Sequence, residues 1–281
     1  MQLQDKVAII TGAGRGSGSA IALAYAQEGA HIVAVARTLK EIQQTAQEVQ
    51  GLGRRALAVR ADVSRNSEVE AMVSAALGEF GRIDILVNSA GVYGPIGPLS
   101  ALDPEKWLQT IAINLGGTFL CCRAVLPAMM RQRCGKIINL SGGGAASPRP
   151  NFSAYAASKA AIVRLTETLA QEVRPHNIWV NAIAPGGVNT RLIDAVLAAG
   201  EAAGKEALEE AERLKAGQGT PLEEVAALAV FLASDASDGL TGRLVSVVWD
   251  DWRNMASQVD RIMASDLYTL RRTVPQIKGH S

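Results

Sequence analysis

The amino-acid sequence predicts the α/β fold class, with one parallel sheet at its centre. Short apolar runs alternate with longer helix-like segments from the N-terminus to about residue 248. The apolar runs are continuous, which is typical of strands that are buried on both faces. Because strands connected through helices pair in parallel with right-handed crossovers, this alternation favours one layered domain.

Length and composition indicate a folded chain with a large core. Of the 281 residues, 48% are hydrophobic and 20% are charged, so disorder is not expected. The formal net charge of +1 argues against a nucleic-acid partner, because few phosphates could be neutralised. No apolar run approaches the ~20 residues that a membrane span needs, and no basic-then-apolar leader precedes the first strand.

The cysteines and histidines predict neither disulfides nor a metal site. Cys121, Cys122 and Cys134 lack the spacing of metal ligands and are interpreted as reduced thiols, so a cytoplasmic protein is expected. The three histidines are scattered along the chain, and no metal is predicted from them.

The first strand, turn and helix have the pattern of a dinucleotide-binding site. Residues 7–10 form the strand and residues 20–28 the helix, with a glycine-rich turn between them. Gly12 suits a tight turn, Gly16 lets the backbone approach a pyrophosphate, and Gly18 allows close helix–strand packing. The free N–H groups and the positive dipole of the helix N-terminus favour the phosphates.

The second strand, residues 31–36, bears on the choice between NAD and NADP. A site that prefers NAD usually has Asp or Glu at the end of this strand, for the ribose 2′-hydroxyl. Here Ala36 and Arg37 stand at the strand end with no carboxylate near, and Arg15 lies in the glycine-rich turn. Two arginines can converge on a 2′-phosphate, so NADP is expected, with NAD possible. The competing interpretation is that both arginines are solvated surface charges.

The remaining strands and helices follow at regular intervals. Asp62 ends the third strand, where its carboxylate can accept from the adenine amino group or cap the next helix. Asn114 and two glycines interrupt a long helical segment, and a local bulge there often marks function. Strands are predicted at residues 56–59, 83–87, 136–140, 178–183 and 243–248, and helices at residues 39–50, 65–80, 104–130, 152–174 and 221–233.

Three segments are placed to shape a substrate pocket. The loop around Tyr93 follows the fourth strand, at the carboxyl edge of the sheet where ligands bind in such folds. Residues 191–219 are interpreted as a helical lid, although ordinary packing also explains their apolar positions. We treat residues 1–248 as one domain that includes the lid. Residues 249–281 form a C-terminal extension, in which Trp249 and Trp252 can dock on a neighbouring surface.

Tyr155 and Lys159 are the candidate catalytic pair. They are four residues apart on a predicted helix, so their side chains share one face with Cβ atoms roughly 5–6 Å apart. A nearby ammonium favours the phenolate and lowers the pKa of a tyrosine from about 10 toward working pH. The competing interpretation is a half-buried aromatic beside a solvated charge, and the upstream glycine-rich turn weighs against it.

With these residues the chain resembles the short-chain dehydrogenases/reductases, in the branch with a TGxxxGxG turn. The similarity runs from about residue 3 to residue 248. Its pieces are the turn at residues 11–18, the Asn-Ser-Ala-Gly at 88–91, Asn114, the Tyr155/Lys159 pair and the segment 185–190. The resemblance implies a doubly wound Rossmann fold with a seven-stranded parallel sheet, helices on both faces, and assembly as a tetramer or dimer.

The resemblance also implies roles at the matching positions. Tyr155 would donate or accept the proton, Lys159 would hold the nicotinamide ribose and lower the tyrosine pKa, and Asn114 would position a water in a proton relay. The expected catalytic residues are Tyr155, Lys159, Ser141 and Asn114. The expected cofactor-binding residues are Gly12, Arg15, Gly16, Ser17, Gly18, Arg37, Asp62, Val63, Asn88, Ala90, Gly91, Tyr155, Lys159, Pro185, Gly186, Val188 and Thr190.

One departure from the family pattern concerns the serine that binds the substrate oxygen. Counted back from Tyr155, the expected position is Gly142, and Ser141 lies one residue early. A shift of one residue on a strand reverses the side-chain direction. The glycines that follow can re-route the loop so that Ser141 still reaches the site, and Ser141 is the favoured candidate. The alternative is that Gly142 vacates the position and a substrate group or Ser153 takes over.

The expected activity is hydride transfer between nicotinamide C4 and a carbonyl or secondary alcohol, with a small-molecule substrate. Two other functions stay open. One is a catalytically silent dinucleotide-binding sensor or scaffold, supported by the displaced serine. The other is an isomerase or dehydratase with tightly held nicotinamide, against which the spacing of the glycine-rich turn argues.

Overall fold

Seven parallel strands form the central sheet of the computed structural model, which describes residues 1–272. The strand order is β3-β2-β1-β4-β5-β6-β7. The order reverses between β1 and β4, and ligands bind beyond the carboxyl ends of the strands at such a point. The predicted doubly wound sheet is confirmed. Its strands are β1 Val7–Thr11, β2 His31–Ala36, β3 Ala56–Arg60, β4 Ile85–Asn88, β5 Gly135–Leu140, β6 Ile178–Ala184 and β7 Leu244–Ser246.

Helices cover both faces of this sheet. The first begins at Gly16, earlier than predicted, because the second half of the glycine-rich turn is already helical. The helices are α1 Gly16–Gln27, α2 Leu39–Gly51, α3 Asn66–Phe80, α4 Pro104–Ile111, α5 Gly117–Gln132, α6 Ser153–Val173, α7 Arg191–Ala199, α8 Lys205–Lys215, α9 Leu222–Ala233 and α10 Val259–Met263.

Alternate residues of each strand feed two separate cores. On β1, Ala8 and Ile10 belong to the cluster formed with α1 and α9, whereas Val7 and Ile9 belong to the cluster formed with α3, α5 and α6. All five residues of β1 are buried. This two-sided burial explains why the strands appear in the sequence as continuous apolar runs.

The helical run Pro104–Gln132 departs from one sequence-based expectation. It is 29 residues long and has a mean hydropathy of 1.5 in its most apolar window, so by length and composition it could span a membrane. The expectation that no apolar run approaches the length of a membrane span is therefore wrong for this segment by length and composition. Cys121, Val125 and Met129 of this run are buried against the sheet, which accounts for its apolar character. Helices in protein cores have this composition without entering a membrane.

The segment predicted as a lid forms two helices over the carboxyl edge of the sheet. Ile193 and Val196 of α7, with Ala211 and Leu214 of α8, make a third apolar cluster that includes Tyr155. The segment therefore belongs to the same apolar cluster as the candidate catalytic tyrosine.

The C-terminal extension packs on the domain as far as it is described. Trp252, Met255 and Ile262 join the core cluster of α1 and α9, whereas Trp249 is 86% exposed. The strand β7 is shorter than predicted because Ser246 Oγ accepts from the backbone of residues 248 and 249 and turns the chain. The Leu244 N–H donates to the Tyr268 carbonyl at 2.8 Å.

Candidate active site

A cavity of about 430 Å³ opens beyond β1, β2 and β4, where the strand order reverses. A second cavity of about 850 Å³ continues it beyond β5 and β6. We call them the nucleotide cavity and the catalytic cavity. The expected cofactor residues that line the nucleotide cavity are Gly12, Arg15, Gly16, Ser17, Arg37, Asp62, Val63, Ala90, Gly91 and Thr190.

The glycine-rich turn fits a pyrophosphate. Gly12 has φ +67°, and a Cβ on it would lie 2.9 Å from the Ala90 backbone nitrogen. Gly18 packs its Cα against the Gly12 carbonyl and stays out of both cavities, as expected of a packing glycine. At the N-terminus of α1, Arg15 makes no capping bond through its side chain, so the first N–H groups remain available to an anion.

A carboxylate that the sequence analysis missed lies beside the two expected arginines. Arg15 Nη1 is 3.0 Å from Glu41 Oε1, and Arg191 Nη1 is 3.5 Å from the same oxygen. Glu41 lies in the first turn of α2 and lines the nucleotide cavity with Arg37. The expectation that no carboxylate is near is therefore wrong, because α2 turns Glu41 back over the glycine-rich turn.

Asp62 and Asn88 are oriented differently from each other. Asp62 lines the nucleotide cavity, and its Oδ1 accepts from the backbone and hydroxyl of Ser64, at 3.0 and 2.7 Å. It closes a turn before α3 without capping that helix. The Asn88 side chain points into the core instead, where Nδ2 donates to Asn139 Oδ1 at 2.9 Å. The structure therefore does not bring the Asn88 side chain to the nucleotide cavity.

The catalytic cavity contains the candidate acid–base pair. It is lined by Tyr155, Lys159, Ser141, Pro185, Gly186 and Val188, together with the lid. Tyr155 and Lys159 project from the first turns of α6, and both side chains are buried. The Lys159 ammonium is 5.5 Å from the centre of the Tyr155 ring and donates to the Leu140 carbonyl at 2.7 Å.

The protonation of this pair is governed by burial. Burial raises the pKa of the Tyr155 phenol, with a smaller contribution from Tyr93, whose ring lies 4.6 Å away. Burial also lowers the pKa of Lys159 to about 8. The Tyr155 pKa is therefore raised in this structure and not lowered as expected, because desolvation of the phenolate outweighs attraction to the Arg149 guanidinium.

Asn114 lies at the predicted interruption, where a π-helical turn, Ala112–Gly116, separates α4 from α5. Its Oδ1 accepts from the Val92 N–H, and its Nδ2 donates to the Val92 carbonyl, both at 2.9 Å. The same Nδ2 donates to Ser158 Oγ at 3.0 Å. Asn114 thus ties the loop after β4 to α6, one residue before Lys159.

The hydroxyl groups near Tyr155 bear on the displaced serine. Ser141 Oγ donates to the Lys159 carbonyl at 3.3 Å and is buried against α6. Gly142, in contrast, faces the phenol, and a Cβ on it would overlap the Tyr155 hydroxyl. Ser153 Oγ accepts from the Trp107 indole at 3.0 Å. The side-chain direction at residue 142, not 141, leads to the Tyr155 hydroxyl.

A charged pair in the catalytic cavity was also missed by the sequence analysis. Arg149, in the loop before α6, donates through Nη2 to Glu210 Oε2 of α8 at 2.9 Å. The two residues are 61 positions apart, so no local pattern joins them. Among residues 1–272 there is no group of three His, Cys, Asp or Glu side chains that could hold a metal ion.

Fold and site together define a nucleotide-binding oxidoreductase, and comparison with known proteins gives its family. Residues 6–199 match the family model described as short chain dehydrogenase. The chain belongs to the short-chain dehydrogenase family, whose members use a nicotinamide dinucleotide in dehydrogenase or reductase reactions.

Relatives of similar length support this assignment. The chain is 42% identical to the short-chain reductase protein NovJ of Streptomyces niveus, over 87% of this chain and 93% of the relative. It is 40% identical to 3beta-hydroxysteroid dehydrogenase 1 of Eggerthella lenta, over 87% of this chain and 93% of the relative. The structure of NAD+-bound xylitol dehydrogenase superposes with a TM-score of 0.82 at 29% identity, and covers 88% of this chain and 98% of its own.

Proposed function

We propose that this protein is an NADP-dependent oxidoreductase that interconverts a carbonyl and a secondary alcohol, with Tyr155 as general acid and base. The observation that supports this most is the position of the Tyr155 phenol. It lies in the catalytic cavity, which shares Ser17, Gly91 and Thr190 with the nucleotide cavity. When bound, the nicotinamide supplies or accepts the hydride at its C4 position.

The protonation states suit the reducing direction. Because burial keeps Tyr155 protonated, the phenol can donate its proton to a carbonyl oxygen as that oxygen gains charge. Lys159, with a pKa of about 8, can hold a positive charge near neutral pH and hydrogen-bond the nicotinamide ribose. A cation held there favours the phenolate that remains after proton transfer.

Asn114 and Ser141 act indirectly, by holding α6 and Lys159 in position. Asn114 holds Ser158 and the Val92 backbone, which fixes the space between the two cavities. It would position a water that returns a proton toward Lys159. Ser141 holds the Lys159 carbonyl, and we assign it a positioning role.

Preference for NADP over NAD is supported by Arg15 and Arg37 at the nucleotide cavity. Glu41 opposes this preference, because it neutralises Arg15 and could accept from a ribose 2′-hydroxyl. The ratio of kcat/KM with the two cofactors tests the proposal. A value that clearly favours NAD would overturn it.

We also propose a cytoplasmic homo-oligomer, a tetramer or a dimer. The support for assembly is the exposure of two large apolar side chains, Leu108 of α4 at 62% and Phe119 of α5 at 50%. Multi-angle light scattering of the purified protein tests the assembly, and a monomer at micromolar concentration would contradict it.

The Tyr155→Phe variant tests the enzymatic function. It keeps the ring packed against Tyr93 and removes only the hydroxyl. Turnover of carbonyl substrates should fall at least a hundredfold, in the range typical of general acid catalysis, while NADPH still binds in a fluorescence titration. If the wild-type protein binds NADPH but turns over no member of a carbonyl panel, a silent sensor is favoured instead.

A further inference from the structure

The pair Arg149 and Glu210 lies in the part of the catalytic cavity that surrounds Tyr155. Their side chains are 20% and 36% exposed, so Arg149 is mostly covered by protein while Glu210 stays in contact with water. An ion pair at this depth loses hydration, and burial of a lone arginine would be strongly unfavourable. An anion beside the mostly covered guanidinium, from Glu210 or from a ligand, therefore stabilises it.

Aromatic rings fix the direction of the Arg149 guanidinium. Its Cζ lies 4.7 Å from the centre of the Phe152 ring and 5.8 Å from that of Tyr93. Tyr93 also packs edge-on against Tyr155. The guanidinium and the catalytic phenol thus flank one aromatic side chain.

Two consecutive glycines make room for these two groups. A Cβ on Gly142 would overlap the Tyr155 hydroxyl, and a Cβ on Gly143 would lie 2.5 Å from Arg149 Nη1. The missing side chains leave the phenol and the guanidinium facing the same stretch of backbone. Both groups line the catalytic cavity beside this backbone.

The guanidinium has hydrogen-bonding capacity that Glu210 does not fill. Its Nε is buried and has no partner within the described chain, and the recorded bond to Glu210 uses Nη2 alone. An arginine can bind a carboxylate through two parallel N–H bonds. Glu210 belongs to α8 of the lid, and its single bond is a contact that a free carboxylate could replace.

We propose that Arg149 is a specificity residue that binds a carboxylate of the substrate, and that Glu210 occupies this position until the substrate displaces it. The substrate class is then an oxo acid or the corresponding hydroxy acid, with its reacting carbon a few bonds from the acid group. This inference rests on the proposed reductase function. The competing explanation is that the pair only holds the lid to the loop before α6.

Two substitutions with opposite expected effects separate these explanations. The substrates are 2-oxobutanoate, 3-oxobutanoate and 4-oxopentanoate, each compared with its methyl ester in the presence of NADPH. Arg149→Gln should raise KM for the best acid at least tenfold and change KM for its ester less than threefold. Glu210→Gln should lower KM for the acid, because it frees the arginine. If the pair only holds the lid, both variants will change acid and ester in the same direction.

A matched control is the ion pair of Lys215 with Asp194, at 2.6 Å, which joins α8 to α7 outside the catalytic cavity. Lys215→Met removes a lid ion pair without touching the guanidinium. It should leave the acid-to-ester ratio of KM values unchanged. A change in this ratio as large as that of Arg149→Gln would overturn the proposal.

A binding measurement keeps this inference separate from the proposed function. In the Tyr155→Phe background with NADPH bound, calorimetry with 4-oxopentanoate should show binding that weakens at least tenfold on addition of Arg149→Gln. If that holds while the wild type turns over neither acids nor esters, the anion site stands and the reductase function fails. If the wild type reduces the esters and Arg149→Gln leaves binding and KM of the acids unchanged, the inference fails and the function stands.

Discussion

The Tyr155 hydroxyl occupies the space into which a side chain on Gly142 would point. The family pattern expects a serine at residue 142. In this chain the volume of that serine side chain is taken by the Tyr155 phenol and by whatever the phenol contacts. Ser141, one residue earlier, is directed to the carbonyl of Lys159. In the loop after β5, the hydroxyl is therefore at residue 141 and residue 142 has no side chain, whereas the family pattern expects the hydroxyl at residue 142.

The Gly142→Ala variant should impair catalysis. The added methyl group and the Tyr155 hydroxyl cannot occupy the same space, so the loop or the phenol must move. We expect kcat to fall about tenfold, since small misplacements of a catalytic group have effects of this order or larger. Stopped-flow measurement of the hydride step checks this, and NADPH affinity should stay unchanged. Gly78→Ala on α3, where a Cβ meets nothing within 4 Å, is the control and should retain full activity.

The Ser141→Ala variant should affect stability more than turnover. Loss of its hydrogen bond to the Lys159 carbonyl should lower the free energy of unfolding by about 1 kcal/mol. We expect kcat to fall less than about threefold, because Ser141 does not face the phenol. Urea unfolding and steady-state kinetics on the same preparation measure both effects. A tenfold or larger loss of kcat would show instead that Ser141 acts on the substrate.

The Glu41→Gln variant should shift the cofactor preference toward NADP. Removal of the carboxylate leaves Arg15 and Arg191 without their counter-charge in the nucleotide cavity and frees them for a 2′-phosphate. We expect the ratio of kcat/KM for NADPH over NADH to rise about tenfold, which corresponds to a change of roughly 1.4 kcal/mol in the relative transition-state free energies. Glu48→Gln, farther along α2, controls for the loss of one negative charge. An unchanged ratio would mean that Glu41 lies outside the cofactor's reach.

The Lys159→Met variant should be more stable than the wild type near neutral pH. Burial lowers the pKa of Lys159 from 10.5 to about 8, so at pH 7 the native state holds a desolvated charge. At roughly 1.4 kcal/mol per pKa unit, less about 1 kcal/mol for the lost bond to Leu140, the gain is on the order of 2 kcal/mol. Catalytic activity should be lost in the same variant.

The stability gain of the Lys159→Met variant should shrink as the pH rises. Below pH 8 both folded and unfolded states of the wild type are protonated, and the stability difference from Lys159→Met is largest. Between pH 8 and 10.5 the unfolded state binds more protons, so wild-type stability rises with pH and the difference shrinks. Urea unfolding from pH 7 to 10 measures this. Lys205→Met, at a side chain that is 88% exposed, should show no such trend.

Much of the fold could be predicted because strand burial and helix spacing are local signals. The run at residues 31–36 was placed without error because Ala36 is followed at once by the polar residues Arg37 and Thr38, which precede α2. The seventh strand was overestimated because Ser246 stops it with a side-chain bond, and apolar pattern alone does not show such a bond.

The candidate site was predictable only where its residues lie close together in sequence. Tyr155 and Lys159 are one helical turn apart, so their meeting follows from helix geometry. Glu41 meets Arg15 across 26 positions, and Arg149 meets Glu210 across 61, so these contacts depend on how whole elements pack. Burial likewise sets the direction of the Tyr155 pKa, and neighbours in sequence do not determine burial.

The docking of the last described segment limits how the protein can be shortened. A version that stopped at Val248 would strip Trp252 from Phe231 and uncover the apolar faces of α1 and α9. It would also leave the Leu244 N–H and the Glu167 carboxylate without the backbone partners that residues 268 and 270 supply. Such a fragment should aggregate on expression, so any trimmed version for crystallisation or engineering needs to retain the chain through Leu270.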